Sequence, residues 1–171
     1  MVKTLAGLIF LLVCLQSMAQ VHTEMQDAMA KLKFLEGVWK GKGWIQLGEE
    51  KKFFNETETA KIKVGGTLLQ IDVFGTSVEN ESDIINNGLG LARFNSGTNK
   101  YEMDFYQADG SLVGASINIL KDNIAEILLF RAESFTRFVI EIKNKQWFEK
   151  GFTSKDGKDW KQFFEMNLSL Q

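Results

Sequence analysis

Proline is absent from the 171 residues, and cysteine (Cys14) and histidine (His22) occur once each. Proline deprives a strand of a ladder donor, so a chain made mostly of paired strands has reason to avoid it. One cysteine excludes a disulfide scaffold. One histidine, near the start, leaves no material for a His-based zinc site or a Ser–His–Asp triad further along. Charge of one sign is missing too: 20 Lys and Arg stand against 22 Asp and Glu, for a formal net charge of −2. That balance does not suit a protein that grips nucleic acid by neutralising phosphates. Aromatic residues are plentiful, with 14 Phe and 4 Trp, which excludes the composition of a disordered chain. The length suits one domain with a sizeable core.

The first residues read as an address. Lys3 gives a basic start, Leu5 to Leu15 is apolar, and Ser17-Met18-Ala19 offers small residues at the −3 and −1 positions of a cleavage site. A membrane span needs about 20 apolar residues, so this run predicts a signal peptide over 1–19 and no membrane insertion. Lipidation at Cys14 is disfavoured because branched Val13 precedes it. Cleavage after Ala19 would remove Cys14 and leave an exported domain, 20–171, beginning at Gln20 and having no thiol. The predicted location is secreted or periplasmic.

From Thr23 the apolar residues Met25, Ala28, Met29, Leu32 and Leu35 recur at helical spacing, with Thr23 and Gln26 as a capping box and Gly37 as the stop. The period then changes to two. Strands are predicted over 38–47, 52–64, 67–74, 84–94, 100–107, 111–120, 124–130, 135–143, 146–153 and 160–168. Short turns such as Gly65-Gly66, Asn95-Ser96-Gly97, Ala108-Asp109-Gly110 and Asn144-Lys145 separate them. Asn, Asp and Gly tolerate the positive φ of tight hairpins. Only 75–83 reads as a longer loop. Ten strands on short hairpins leave no room for the crossings of a sandwich, and closure removes the exposed edges. The expected fold is an all-β, ten-stranded, antiparallel up-and-down barrel with a short N-terminal helix capping one end.

The stretch Phe34-Leu35-Glu36-Gly37-Val38-Trp39-Lys40-Gly41-Lys42-Gly43 resembles the opening of nitrobindin-type and related lipocalin-like (calycin-type) bacterial barrels. Gly65-Gly66, Gly88-Leu89-Gly90 and the Ser154–Trp160 turn resemble later parts of that pattern. The resemblance implies that Trp39 packs across the closed base. Nitrobindin-type barrels hold haem through a late histidine. This chain has none after His22, so no cofactor is expected. On the residues alone, Gly41 and Gly43 share the face of Trp39 and leave volume inside the barrel.

Carboxylates are the remaining polar chemistry. Glu56 and Glu58 lie two apart on one predicted strand, as do Glu102 and Asp104, each pair about 7 Å apart on one face. Glu102 and Asp104 read as a solvated outer face. The parity of Glu56 and Glu58 is open, because Asn55, Thr57 and Thr59 make the other face polar as well. If they point inward, they would orient a ligand. No catalytic residue and no metal ligand is assigned. The expected ligand-binding residues are the inward-parity Trp39, Ile71, Met103, Phe105, Ile117, Phe138, Ile140 and Phe164, with Tyr101 as a polar handle. Two functions stay open: a carrier of a small, mostly apolar molecule, or a filled barrel acting through its outer surface as an interaction or structural module.

Overall fold

The structure, a computed structural model, describes residues 23–131 and 134–171. The expected signal peptide with Cys14 and the Ala19–Gln20 cleavage site, together with His22, lies outside the described residues. Helix α1 covers residues 23–30 and is followed by a 3-10 turn at Lys33–Leu35. Ten strands follow: β1 Gly37–Leu47, β2 Glu50–Lys63, β3 Leu68–Ser77, β4 Ile84–Asn95, β5 Lys100–Gln107, β6 Leu112–Lys121, β7 Ile124–Arg131, β8 Ser134–Lys143, β9 Gln146–Ser154 and β10 Lys161–Leu170. Each pairs antiparallel with its sequence neighbour, and β1 pairs with β10 to close the barrel. This is the ten-stranded antiparallel barrel that the alternation predicts.

The turns form where the residue types suggest. Asn144 and Lys145 both take positive φ (54° and 60°) between β8 and β9, the backbone of a two-residue hairpin whose twist matches its strands. Two differences from the expected elements have physical causes. The helix stops at residue 30, and the chain then tightens so that Leu32 and Leu35 are both buried. Strand β3 runs past Phe74 to Ser77, because a bulge at Gly75/Thr76 keeps it paired with β4.

Alternate residues of every strand enter one core. Trp39, Phe54, Leu69, Ile71, Ala92, Met103, Ile117, Ala125, Ile140, Trp147, Phe164, Met166 and Leu168 are all buried in it. The N-terminal segment closes one end, the base, where hydrogen bonds tie it to the strands. The Tyr101 hydroxyl donates to the Ala28 carbonyl at 2.8 Å, and the Gln26 amide donates to the Gly65 carbonyl. The indole of Trp39 donates to the Leu35 carbonyl at 2.9 Å, and the Ile62 N–H donates to Glu36 Oε1 at 2.9 Å. Trp39 also meets Trp147 edge to face, with centroids 5.7 Å apart. The opposite end, the mouth, carries the turns β1–β2, β3–β4, β5–β6 and β9–β10. Among the described residues no helix is long and apolar enough to cross a membrane.

Candidate functional site

All nine residues expected to line the lumen belong to the core or pack against it. They do not form one surface. Trp39 is 2% exposed and held at the base. The Tyr101 hydroxyl donates its proton to the Ala28 carbonyl, which leaves its oxygen free only to accept. Ile71, Met103, Ile117 and Ile140 are buried at mid-height. Phe105 and Phe138 are only half-buried, and Phe164, 9% exposed, packs against Phe138.

Burial falls toward the mouth in a regular way on four consecutive strands. Met103, Ile117, Ala125 and Ile140 are buried, while the same-face residues two positions nearer the mouth, Phe105, Ala115, Ile127 and Phe138, are half-buried. Toward the base, Tyr101, Ile119 and Ile142 are half-buried as well, so strands β5 to β8 present a continuous apolar wall most deeply buried at mid-height.

The inner glycines do not leave the empty space their size suggests. A methyl on Gly43 would collide with the Phe54 ring, one on Gly88 with Phe105, and one on Gly151 with Phe138 and Phe164. Each large ring thus lies flat against the wall over a glycine of a neighbouring strand. Phe54 stacks on Phe164 at 5.6 Å, and Phe164 meets Phe138 edge-on at 5.5 Å. A bulge between Gln162 and Phe164 brings Phe163 within 5.7 Å of Phe138 as well.

The opposite wall is acidic. The parity left open in the sequence is settled by β2, where Phe54, Glu56, Glu58 and Ala60 all face inward and are buried. Glu149 on β9 joins them at 8% exposure, between inward Trp147 and Gly151. Nothing in the sequence analysis picked out Glu149; the signal was its shared parity with Trp147 and Gly151, since Phe148 and Lys150 are exposed. Strands β1 and β10 separate β2 from β9 and contribute the slim Gly41 and Gly43 and the flexible Met166 at these levels. Glu102 and Asp104 lie outside, as expected: Glu102 pairs with Arg93 at 2.6 Å and Asn95 at 2.8 Å.

The three inner carboxyls are poorly supplied with donors. Glu56 Oε1 accepts from the Asn86 amide at 3.2 Å, but Glu56 Oε2, buried over Gly75, has no partner. Glu149 accepts from the Trp147 indole at 2.9 Å. Glu58, 6% exposed, receives no hydrogen bond. Among the described residues no lysine, arginine or histidine is buried beside them. Burial consequently pushes the Glu56 carboxyl up to about 8, opposed by the Asn86 bond and helped by Glu149. Burial raises Glu149 to about 7 against the Trp147 bond. Glu58 is raised well above the usual carboxylate range by burial first, then by repulsion from Glu149 and Glu56. No three Asp, Glu, His or Cys side chains among the described residues are placed to hold a metal ion.

Two surface depressions lie elsewhere. One of about 500 Å³ is bordered by 121–124 and 141–143, and one of about 440 Å³ lies between α1 and the 94–99 region. Neither is lined by the glutamates or by any of the nine expected residues.

No family model and no curated protein matches the chain. Solved structures do. Rv2717c from M. tuberculosis superposes with a TM-score of 0.62 at 14% identity, over 84% of this chain and 97% of that one. The S-type phycobiliprotein lyase CPES from Guillardia theta superposes with a TM-score of 0.55 at 7% identity, over 81% and 89%. The fold is lipocalin-like. At these identities the likeness extends to architecture and no further.

Proposed function

We propose that the chain is an exported, nitrobindin-related barrel that carries a small, mostly apolar molecule in the mouth half of its interior. The observation that carries this reading is the graded burial of Phe105, Ala115, Ile127 and Phe138: apolar side chains that face inward yet remain half-exposed. Lipocalin-like architecture supports it by analogy, and one structural neighbour is a phycobiliprotein lyase. Burying about 300 Å² of apolar ligand surface is worth roughly 7–8 kcal/mol at ~25 cal/mol/Å². Lost translational and rotational freedom offsets roughly 4 kcal/mol or more. Apolar contact alone therefore supports binding in the millimolar to high-micromolar range.

Titrating the purified 20–171 domain with the neutral dye Nile red, read by dye emission and by tryptophan fluorescence, tests the reading. Saturable one-to-one binding is expected, and Phe138→Ala should weaken it at least threefold by removing a wall of the mouth. A dye signal that rises without saturation, or that Phe138→Ala leaves untouched, would remove the carrier reading and leave the filled-barrel surface module in its place. The export half of the proposal rests on the tripartite N-terminal pattern and has its own check. Intact mass of protein recovered from the cell envelope or medium should correspond to a chain starting at Gln20; retention of Met1, or a lipid adduct on Cys14, would refute it.

A further inference from the structure

We infer that Glu56, Glu58 and Glu149 form a recognition site for the cationic amine head of an amphipathic ligand whose apolar body lies along the β5–β8 wall. The inference rests on the carrier reading and narrows it to one class of ligand.

The geometry carries it in three steps. First, the acceptors outnumber the donors. Three buried carboxyls are served by one amide and one indole, so Glu56 Oε2 is buried with nothing to accept from, and Glu58 beside it has no donor of its own. Buried acceptors without donors are rare in folded proteins and call for an explanation. A ligand bearing several N–H donors on one atom supplies it. Second, the wall facing the carboxyls is apolar, with Met103, Phe105, Ile117, Ile127 and Phe138, and offers no counter-charge to a ligand's own acid group. Third, the polar and apolar walls belong to the same interior, and above the glutamates sits the Phe54–Phe164 stack, which a ligand would have to displace. On β2 the glutamates lie below Phe54, and on β9 Glu149 lies below Gly151, against which Phe138 and Phe164 rest. A molecule entering from the mouth head-first would set its polar end among the carboxyls and its body among the rings.

A fatty acid fits this site badly, because its carboxylate would join three others. An alcohol offers one donor. An alkylammonium offers three, and it stays charged at neutral pH as lysine does, with a pKa of about 10.4. Its charge also lets a buried carboxyl release a proton to solvent and become a full counter-ion. A metal ion is disfavoured because no three carboxyls converge on one point among the described residues, whereas an ammonium hydrogen-bonded to Glu56 and Glu58, with Glu149 near by, needs no such convergence.

The experiment compares three eight-carbon probes, octylamine, 1-octanol and octanoate, as competitors of Nile red on the 20–171 domain. Octylamine should bind at least tenfold more tightly than octanol, and octanoate more weakly than either. Glu56→Gln and Glu58→Gln keep the shape of the side chains and should each weaken octylamine at least tenfold while leaving octanol and Nile red within twofold. Circular dichroism establishes that both variants are folded. Equal binding of octylamine and octanol, tighter binding of octanoate, or octylamine binding indifferent to both substitutions would overturn the inference. So would displacement of octylamine by millimolar calcium, which would make the cluster a metal site. Nile red binding with no octylamine binding sinks this inference alone; loss of Nile red binding as well sinks the carrier reading with it.

Discussion

Raising the pH from 5 to 9 is expected to lower the folding stability by several kcal/mol, opposite to the trend of proteins stabilised by exposed ion pairs. Glu56 titrates at about 8 in the folded chain against an ordinary 4.5, so between those values the folded state holds a proton that the unfolded state has lost. Stability then falls with rising pH throughout that window. Glu149, at about 7, adds to the same trend, and Glu58, raised well above 4.5, extends it. The groups facing them, Asn86 and Trp147, do not titrate, and no buried cation among the described residues opposes the effect. One pKa unit is worth about 1.4 kcal/mol, so Glu56 alone amounts to on the order of 3–5 kcal/mol. For a domain of this size that is roughly 10 °C in Tm. Thermal melts at constant ionic strength from pH 5 to 9 measure it. Glu56→Gln should flatten the curve and raise Tm at pH 9. A Tm that holds steady or climbs over this range would mean that the carboxyls are better solvated than their burial indicates.

Trp39→Ala should cost about 3–5 kcal/mol, a large share of the 5–15 kcal/mol that holds a typical domain together. The indole is 2% exposed, meets Trp147 edge-on and donates to the Leu35 carbonyl. Its removal opens a cavity at the base and leaves that carbonyl without its donor, where the chain passes from helix to barrel. Trp39→Phe keeps much of the volume and loses the hydrogen bond, for about 1–2 kcal/mol. Urea unfolding monitored by circular dichroism separates the two substitutions. A loss below 1 kcal/mol for the alanine variant would show that the base is closed by α1 without help from Trp39. Phe138→Ala, by contrast, acts at the mouth and should be felt by a ligand.

The barrel was legible because alternation and turn chemistry agree along the whole chain. Ile71 and Val73 face in while Asp72 and Phe74 face out, and Asn144 takes the positive φ its type tolerates, although Lys145 beside it takes one that its type does not favour. The helix end was not legible, since Leu32 and Leu35 fit a helical stripe and a 3-10 turn equally well. The acidic wall was half legible. Glu56 and Glu58 stood out as a pair, but β2 is polar on both faces, and only its pairing with β1 and β3 shows which face is inward. Glu149 was hidden between Phe148 and Lys150, which resemble an ordinary amphipathic edge. That Glu58 lacks a donor is a property of three dimensions; no spacing in the chain encodes it. The inner glycines misled in a useful way: they mark where the rings lie, so a count of small residues overstates the free volume.

Closure of the barrel has a kinetic side. Nine of the ten strand pairings join sequence neighbours through short turns, and only β1 with β10 must find each other across almost the whole domain. Local pairings form cheaply, while a distant one pays the entropy of a long loop before any contact rewards it. The seam is thus the natural last step of folding, and until it forms both edge strands remain open to other chains. At that seam Gly41 faces Leu168 so closely that a side chain on it would meet the backbone of Asn167. A side chain at Gly41 would therefore obstruct the one pairing that must close over the longest loop, and prolong the exposure of both edges.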